Sequence, residues 1–187
     1  MAASMNRRQA ALTFGAVWTS LALPAGALAQ VTPTRRWTPK ALTAAQADTL
    51  DIVAELIMPA TDTPGAREAG VPQFVDRALA DYCTPADAAV VRAGLNRIEA
   101  EARAEYGAAF AALPPGKQIA LLARYEAEGR GPPATRKPFF PVLRELVTVG
   151  YFTSEPGATK AVRYDPVPGA FRGCVPLKEI GRAWAIS

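Results

Sequence analysis

Thr43-Ala-Ala-Gln46-Ala-Asp-Thr-Leu50-Asp-Ile-Val53-Ala54-Glu-Leu-Ile57-Met-Pro59 is the stretch that decides the fold. Thr43 followed three residues later by Gln46 is a capping box, in which each side chain satisfies a backbone N–H left unpaired at a helix start. Leu50, Val53, Ala54 and Ile57 recur at helical spacing and mark one apolar stripe, and Pro59 stops the helix. Beyond it, Met58-Pro-Ala-Thr-Asp-Thr-Pro-Gly-Ala-Arg-Glu-Ala-Gly-Val-Pro72 is dense in turn residues and reads as an ordered loop.

The same period continues downstream. A second helix is expected from near Pro72 to Tyr82, burying Phe74, Val75, Ala78 and Leu79. Thr84 caps a third, with Pro85 in its first turn and Asp87 near its positive end. Val91, Leu95, Ile98 and Ala102 form its stripe, and Gly107 ends it. Phe110 and Leu113 lead to Pro114-Pro115, after which a fourth helix buries Ile119, Leu122 and Tyr125. Past Gly129-Arg-Gly-Pro-Pro133, a fifth runs from about Phe139 to Tyr151 with Leu143, Leu146, Val147 and Gly150 inward. No stretch alternates with period two. The expected fold class is therefore all-α, an irregular bundle of about five helices. Residues 152–187 differ: Pro156, Pro166, Pro168 and Pro176 interleave with Gly157, Gly169 and Gly173 and with Tyr164, Phe171 and Trp184. That many prolines exclude a long helix, and the aromatics argue for a tail that lies on something, either its own bundle or a partner.

At the amino end, Asn6-Arg7-Arg8-Gln9 precedes an uncharged run from Ala10 to Leu23, broken by Pro24 and Gly26 and followed by Ala27-Leu28-Ala29 and Gln30. This is the basic, apolar and small-residue order of a secretory signal, cleaved near Ala29/Gln30. The paired Arg7 and Arg8 point to the twin-arginine route, hence to the twin-arginine translocase and the periplasm. The apolar run is short for a bilayer span of ~20 residues, and an uncleaved anchor is the alternative. The expected organisation is a signal over 1–29, a linker over 30–41, and one helical domain over 42–187 that includes the tail.

Of the 187 residues, half are apolar and a fifth charged, a globular balance. Net charge is +4, and +2 without Arg7 and Arg8. So mild an excess does not indicate nucleic acid, whose binders carry a clustered basic face. There is no histidine. That removes the usual general base and metal ligand, excludes Ser-His-Asp and Cys-His sites, and with two cysteines rules out a four-ligand zinc site of Cys and His. Asp62 and Glu68 share a glycine-bearing loop but lack calcium-loop spacing. Gly129-Arg-Gly131 has no flanking strand, so a nucleotide site is unsupported. Glu99/Glu101 and Glu126/Glu128 are two apart on a helix, do not face each other, and read as solvated faces. No catalytic, cofactor or metal site is expected in this chain. Cys83 and Cys174, the two cysteines, are expected to pair in an oxidising compartment and pin the tail to the bundle. The alternatives are two thiols, or a bond from one of them to a partner. A closed loop of about 90 residues would contribute at most ~4–5 kcal/mol.

Several spaced segments resemble gluconate 2-dehydrogenase subunit 3 proteins: Leu56-Ile-Met-Pro59, Asp62-Thr-Pro-Gly-Ala66, Ala69-Gly-Val-Pro72 and Phe74-Val-Asp76. Phe139-Phe140, Leu143-Arg-Glu-Leu146, Gly150-Tyr-Phe-Thr-Ser-Glu-Pro-Gly-Ala158, Arg163-Tyr-Asp-Pro-Val-Pro-Gly169 and Gly173-Cys-Val-Pro176 continue the likeness. The resemblance spans about Leu42 to Trp184. It implies a non-catalytic small subunit that accompanies a large FAD flavoprotein oxidising gluconate, a sugar or a polyol. A cytochrome c subunit carrying haem c commonly takes the electrons, and the small subunit often supplies the export signal. The expected partner interface includes Tyr151, Phe152 and Glu155, where the bundle passes into the tail. A free-standing secreted helical binding protein is the reading from another class.

Overall fold

The computed structural model describes residues 37–130, 138–165, 167, 169 and 174–185. The expected signal with Arg7 and Arg8, the first part of the expected linker, and Phe171 and Gly173 lie outside the described residues. Within them the chain is all-α, and the only β-type pairing is one isolated bridge. The helices are α1 Ala44–Ile57, α2 Val71–Asp81, α3 Pro85–Tyr106, α4 Pro115–Gly129, α5 Phe139–Phe152 and α6 Leu177–Ile180. A 3-10 turn, Phe110–Ala112, joins α3 to α4, and a π-helical turn, Gly157–Ala161, follows α5. The first five are those read from the periodicity, and the sixth is a single turn in the tail.

The capping box forms as expected: Gln46 N donates to Thr43 Oγ1 at 3.3 Å and Thr43 N donates to Gln46 Oε1 at 2.9 Å. The same Gln46 amide reaches across to Asn96 Oδ1 on α3, at 3.0 Å. One stripe understates α1, however. Ala47, Asp51 and Ile52 are buried along with Leu50, Val53 and Ala54, while Ile57 is half-buried. The cause is position, because α2, α3, α5 and the 3-10 turn all pack on α1. A helix so surrounded buries nearly every side. The one charge this brings inside, Asp51, meets the Arg67 guanidinium at 2.8 Å.

Chain entry is also ordered. The Asp76 carboxylate on α2 accepts the backbone N–H groups of Lys40, Ala41 and Leu42 at 2.7, 3.0 and 3.1 Å. Trp37 and Ala41 pack against the core, so the described end of the expected linker belongs to the bundle. Thr84 caps α3 by accepting from Asp87 N at 3.1 Å, and Val91, Leu95, Ile98 and Ala102 are all buried. Gly107 closes that helix at φ +70°, a left-handed conformation that suits glycine.

Two expected core residues face out. Ile119 is exposed because Gln118 takes the inward position beside it, donating Nε2–H to the Phe110 carbonyl at 2.9 Å. That carbonyl, at the 3-10 turn, also accepts the Leu113 N–H at 3.2 Å, so the Gln118 amide adds a second donor that an isoleucine could not supply. Leu121, Leu122 and Tyr125 complete the buried face of α4. Phe74 lies across Gly150 of α5, where any side chain would collide with its ring, and keeps its other side in solvent. On α5, Leu143, Val147 and Gly150 are inward as read, and Leu146 is half-buried.

Candidate functional site

Six carboxylates of the helices, Asp51, Glu99, Glu101, Glu105, Glu126 and Glu128, are held by arginines. Glu101 on α3 accepts from Arg97 Nε at 2.6 Å and from the Tyr125 hydroxyl at 2.8 Å. Arg97 also forks onto Glu128 with two bonds of 2.8 Å, while Arg124 bridges Glu101 and Glu105. Glu99 pairs with Arg103 and accepts the Phe110 N–H, and Glu126 is gripped by Arg130 and Arg144. Of the glutamates read as solvated faces, Glu101 and Glu128 thus clasp α3 to α4, Glu126 clasps α4 to α5, and Glu99 ties α3 to the 3-10 turn. Their surroundings shift the protonation equilibria accordingly. Burial pushes the Glu101 carboxyl up, but the Tyr125 hydroxyl and the bonds and charges of Arg97 and Arg124 more than reverse this, leaving it below its ordinary 4.5. Burial and the Glu101 contact both raise the Tyr125 phenol. Asp62 and Glu68 are exposed in the loop, and among the described residues no cluster of three Cys, Asp or Glu stands close enough to hold a metal ion.

What the fold does bring together is the loop after α1 and the chain after α5. Glu55 organises the loop from beneath, accepting from Ala60 N at 3.3 Å and Arg67 N at 3.0 Å. Ala66 is buried, donates to the Met58 carbonyl at 2.8 Å and accepts from Val71 N at 2.9 Å. Into this frame comes Tyr151 at the end of α5, whose hydroxyl donates to the Pro64 carbonyl at 2.7 Å. Thr63 Oγ1 lies 3.3 Å from the Tyr151 hydroxyl oxygen. Directly after, Ser154 Oγ donates to the Tyr151 carbonyl at 2.6 Å and accepts from Gly157 N at 3.1 Å. A side chain at position 157 would strike that carbonyl, so the chain can turn here only with glycine. Two of the segments quoted above, some ninety residues apart, therefore form one junction. Its outer rim is Pro59, Ala60, Thr61 and Asp62 on one side and Thr153, Glu155, Thr159 and Lys160 on the other, all exposed.

The three residues expected at the partner interface differ in exposure. Tyr151 is only 2% exposed and belongs to the hydrophobic core, because its ring fills the space under the loop and its hydroxyl is spent on Pro64. Phe152 is half-buried, edge-on to Tyr151 with ring centroids 5.3 Å apart. Glu155 is the one residue of the three that faces solvent. The signal that separated them was the helical register: position 151 continues the inward face of Leu143, Val147 and Gly150.

After Val162, which is buried, the described tail turns outward. Arg163 N donates to the Ala183 carbonyl at 2.7 Å and Ala185 N donates to the Arg163 carbonyl at 2.9 Å, a parallel bridge between the two ends of the tail. The Arg163 guanidinium lies over the Trp184 ring, 4.3 Å from its centroid, and Arg182 donates to the Lys160 carbonyl at 2.7 Å. Tyr164, Val167 and Trp184 are 58%, 79% and 46% exposed. Of the two places expected for this tail, its own bundle does not cover these residues. Sequence reading gave the aromatics but not the bridge, since a single pair leaves no periodicity to find. Cys83 is half-buried just past α2 and Cys174 is exposed in the tail, and no bond joins them in the structure.

Among the described residues no helix is long and apolar enough to cross a membrane. The family model described as gluconate 2-dehydrogenase subunit 3 matches residues 44–169, from the first residue of α1 through the junction and into the tail. Comparisons with curated proteins and with solved structures give no match.

Proposed function

Because the chain belongs to the gluconate 2-dehydrogenase subunit 3 family, whose members are accessory subunits of a dehydrogenase complex, we propose that it is the non-catalytic small subunit of a periplasmic FAD-dependent dehydrogenase. The large flavoprotein oxidises gluconate, another sugar acid, a sugar or a polyol, and a cytochrome c subunit receives the electrons through haem c. The small subunit contributes the export signal, helps the flavoprotein fold and stays assembled with it. The match over residues 44–169 carries this reading. The residue inventory supports it: with no histidine in the chain, neither a histidine ligand for haem nor the most frequent acid–base catalyst is available. FAD and haem belong to the partners, and no step of the oxidation runs through this chain.

The test is export in pairs. Arg7→Lys with Arg8→Lys should strand both this chain and the flavoprotein in the cytoplasm, measured as substrate-reducible flavin and dehydrogenase activity in each fraction. From wild-type cells, the purified pair should carry flavin absorbance and the isolated chain none. Normal periplasmic dehydrogenase activity in the double variant would refute the export role.

A further inference from the structure

We propose that the tail is a preformed clamp, centred on Arg163 and Trp184, that docks on an acidic surface of the flavoprotein subunit. The inference rests on the accessory-subunit reading and names the surface that serves it. Charge is segregated along the chain. Residues 160–187 hold five Lys and Arg against two Asp and Glu, whereas residues 37–159 hold twelve against fifteen. A basic tail on an acidic bundle would ordinarily fold back along it. Here Arg163, Tyr164, Val167, Lys178, Arg182 and Trp184 are exposed instead. Its described ends are nonetheless tied together, by the bridge of Arg163 to Ala183 and Ala185, the guanidinium over the Trp184 ring, and the bond from Arg182 to the Lys160 carbonyl.

Arginine, tryptophan and tyrosine are the residues that dominate binding energy where proteins meet, and a shape fixed beforehand lowers the entropy lost on docking. The surplus of positive charge selects an acidic surface and speeds encounter with it. Asp165 and Glu179 lie among the basic groups, which suits a patterned protein surface better than a uniformly anionic lipid one. Arg163, on one side of the clamp, lies within the matched span, and Trp184, on the other, lies beyond it.

The mature chain and its flavoprotein are mixed, and affinity is measured by calorimetry at low and high salt, with vesicles of phosphatidylglycerol as a parallel target. Wild type should bind the flavoprotein and weaken as salt rises. Trp184→Ala should weaken binding at least tenfold. Lys160→Glu with Lys178→Glu, both exposed positions that leave the bridge in place, should weaken it similarly and flatten the salt dependence. Thermal unfolding of the bundle should be unchanged in all. If wild type binds and every variant binds within twofold of it, the clamp is refuted and the subunit reading stands. If wild type does not bind the flavoprotein, the subunit reading fails and the clamp with it. Variants that lose vesicle binding but keep the flavoprotein would make the tail a membrane contact and overturn the proposal.

Discussion

Tyr151→Phe isolates the bond that holds the loop to the end of α5. The ring stays in place beneath the loop, so only the hydroxyl is lost. That hydroxyl donates to the Pro64 carbonyl at 2.7 Å, in a partly buried site. A neutral hydrogen bond contributes about 0.5–1.5 kcal/mol net, and removing the donor from a fully buried acceptor costs about 1–3 kcal/mol. Water reaches this site in part, which places the expected loss at about 1–2 kcal/mol. In a chain of this length each kcal/mol moves the midpoint by about 2–4 °C, so Tm should fall by about 3–6 °C. Tyr151→Ala removes the ring as well and should cost about 3–5 kcal/mol, as deletion of a buried aromatic does. Thermal unfolding by circular dichroism measures both. Hydrogen exchange locates the effect: Tyr151→Phe should speed exchange in residues 60–66 and 154–161 and leave α3 and α4 unchanged. A midpoint within 1 °C of wild type, or exchange raised evenly through the bundle, would show that this bond does not couple the two segments.

Three further outcomes are expected. Asp76→Ala strips the acceptor from three backbone N–H groups at chain entry and should cost about 3 kcal/mol in urea unfolding, with Asp76→Asn losing about half as much; equal stability of all three proteins would refute the anchoring role. Glu101 has a lowered folded pKa, so its contribution is complete above its ordinary value of 4.5 and is lost as pH falls through the lower folded value. The urea midpoint of wild type should therefore fall more steeply than that of Glu101→Gln below about pH 4.5, and parallel acid limbs would count against the clasp. For the cysteines, the proposal is that Cys83 and Cys174 pair after export; intact mass two hydrogens light, with one peptide joining both sites, is the expected result, and two alkylated thiols would remove it.

How far the fold was legible follows from what each element leaves in the sequence. α3 carries its own cap, its own stop and a narrow stripe, and Thr84, Gly107 and the Val91 to Ala102 face are found where the spacing puts them. α1 was misread in breadth, since burial on several sides comes from how many helices surround it and not from its own period. Gln118 and Ile119 mark a second limit. Hydropathy sends isoleucine inward, yet Gln118 takes the inward place and bonds the Phe110 carbonyl, a contact made only in the folded chain. The arginine clasps were hidden for the same reason: Arg97 and Glu128 are far apart in sequence and meet only when α3 and α4 pack.

The junction and the tail show why the working surface of such a chain is harder to read than its core. A core residue announces itself by hydrophobicity, so Tyr151 and Trp184 look alike in the sequence, both aromatic and both near prolines. The structure separates them by the fate of their polar neighbours. Tyr151 has its hydroxyl bound by the loop and its ring enclosed, so its energy goes into the fold. Trp184 is bridged through its neighbours and stacked on one side by a guanidinium, and its remaining surface meets water. A residue held in shape but not covered adds little to the stability of the free chain. Its rigidity repays its cost only when a second surface closes over it. For an accessory subunit, that difference between enclosed and merely fixed aromatics is what makes Trp184, and not Tyr151, the residue proposed to meet a partner.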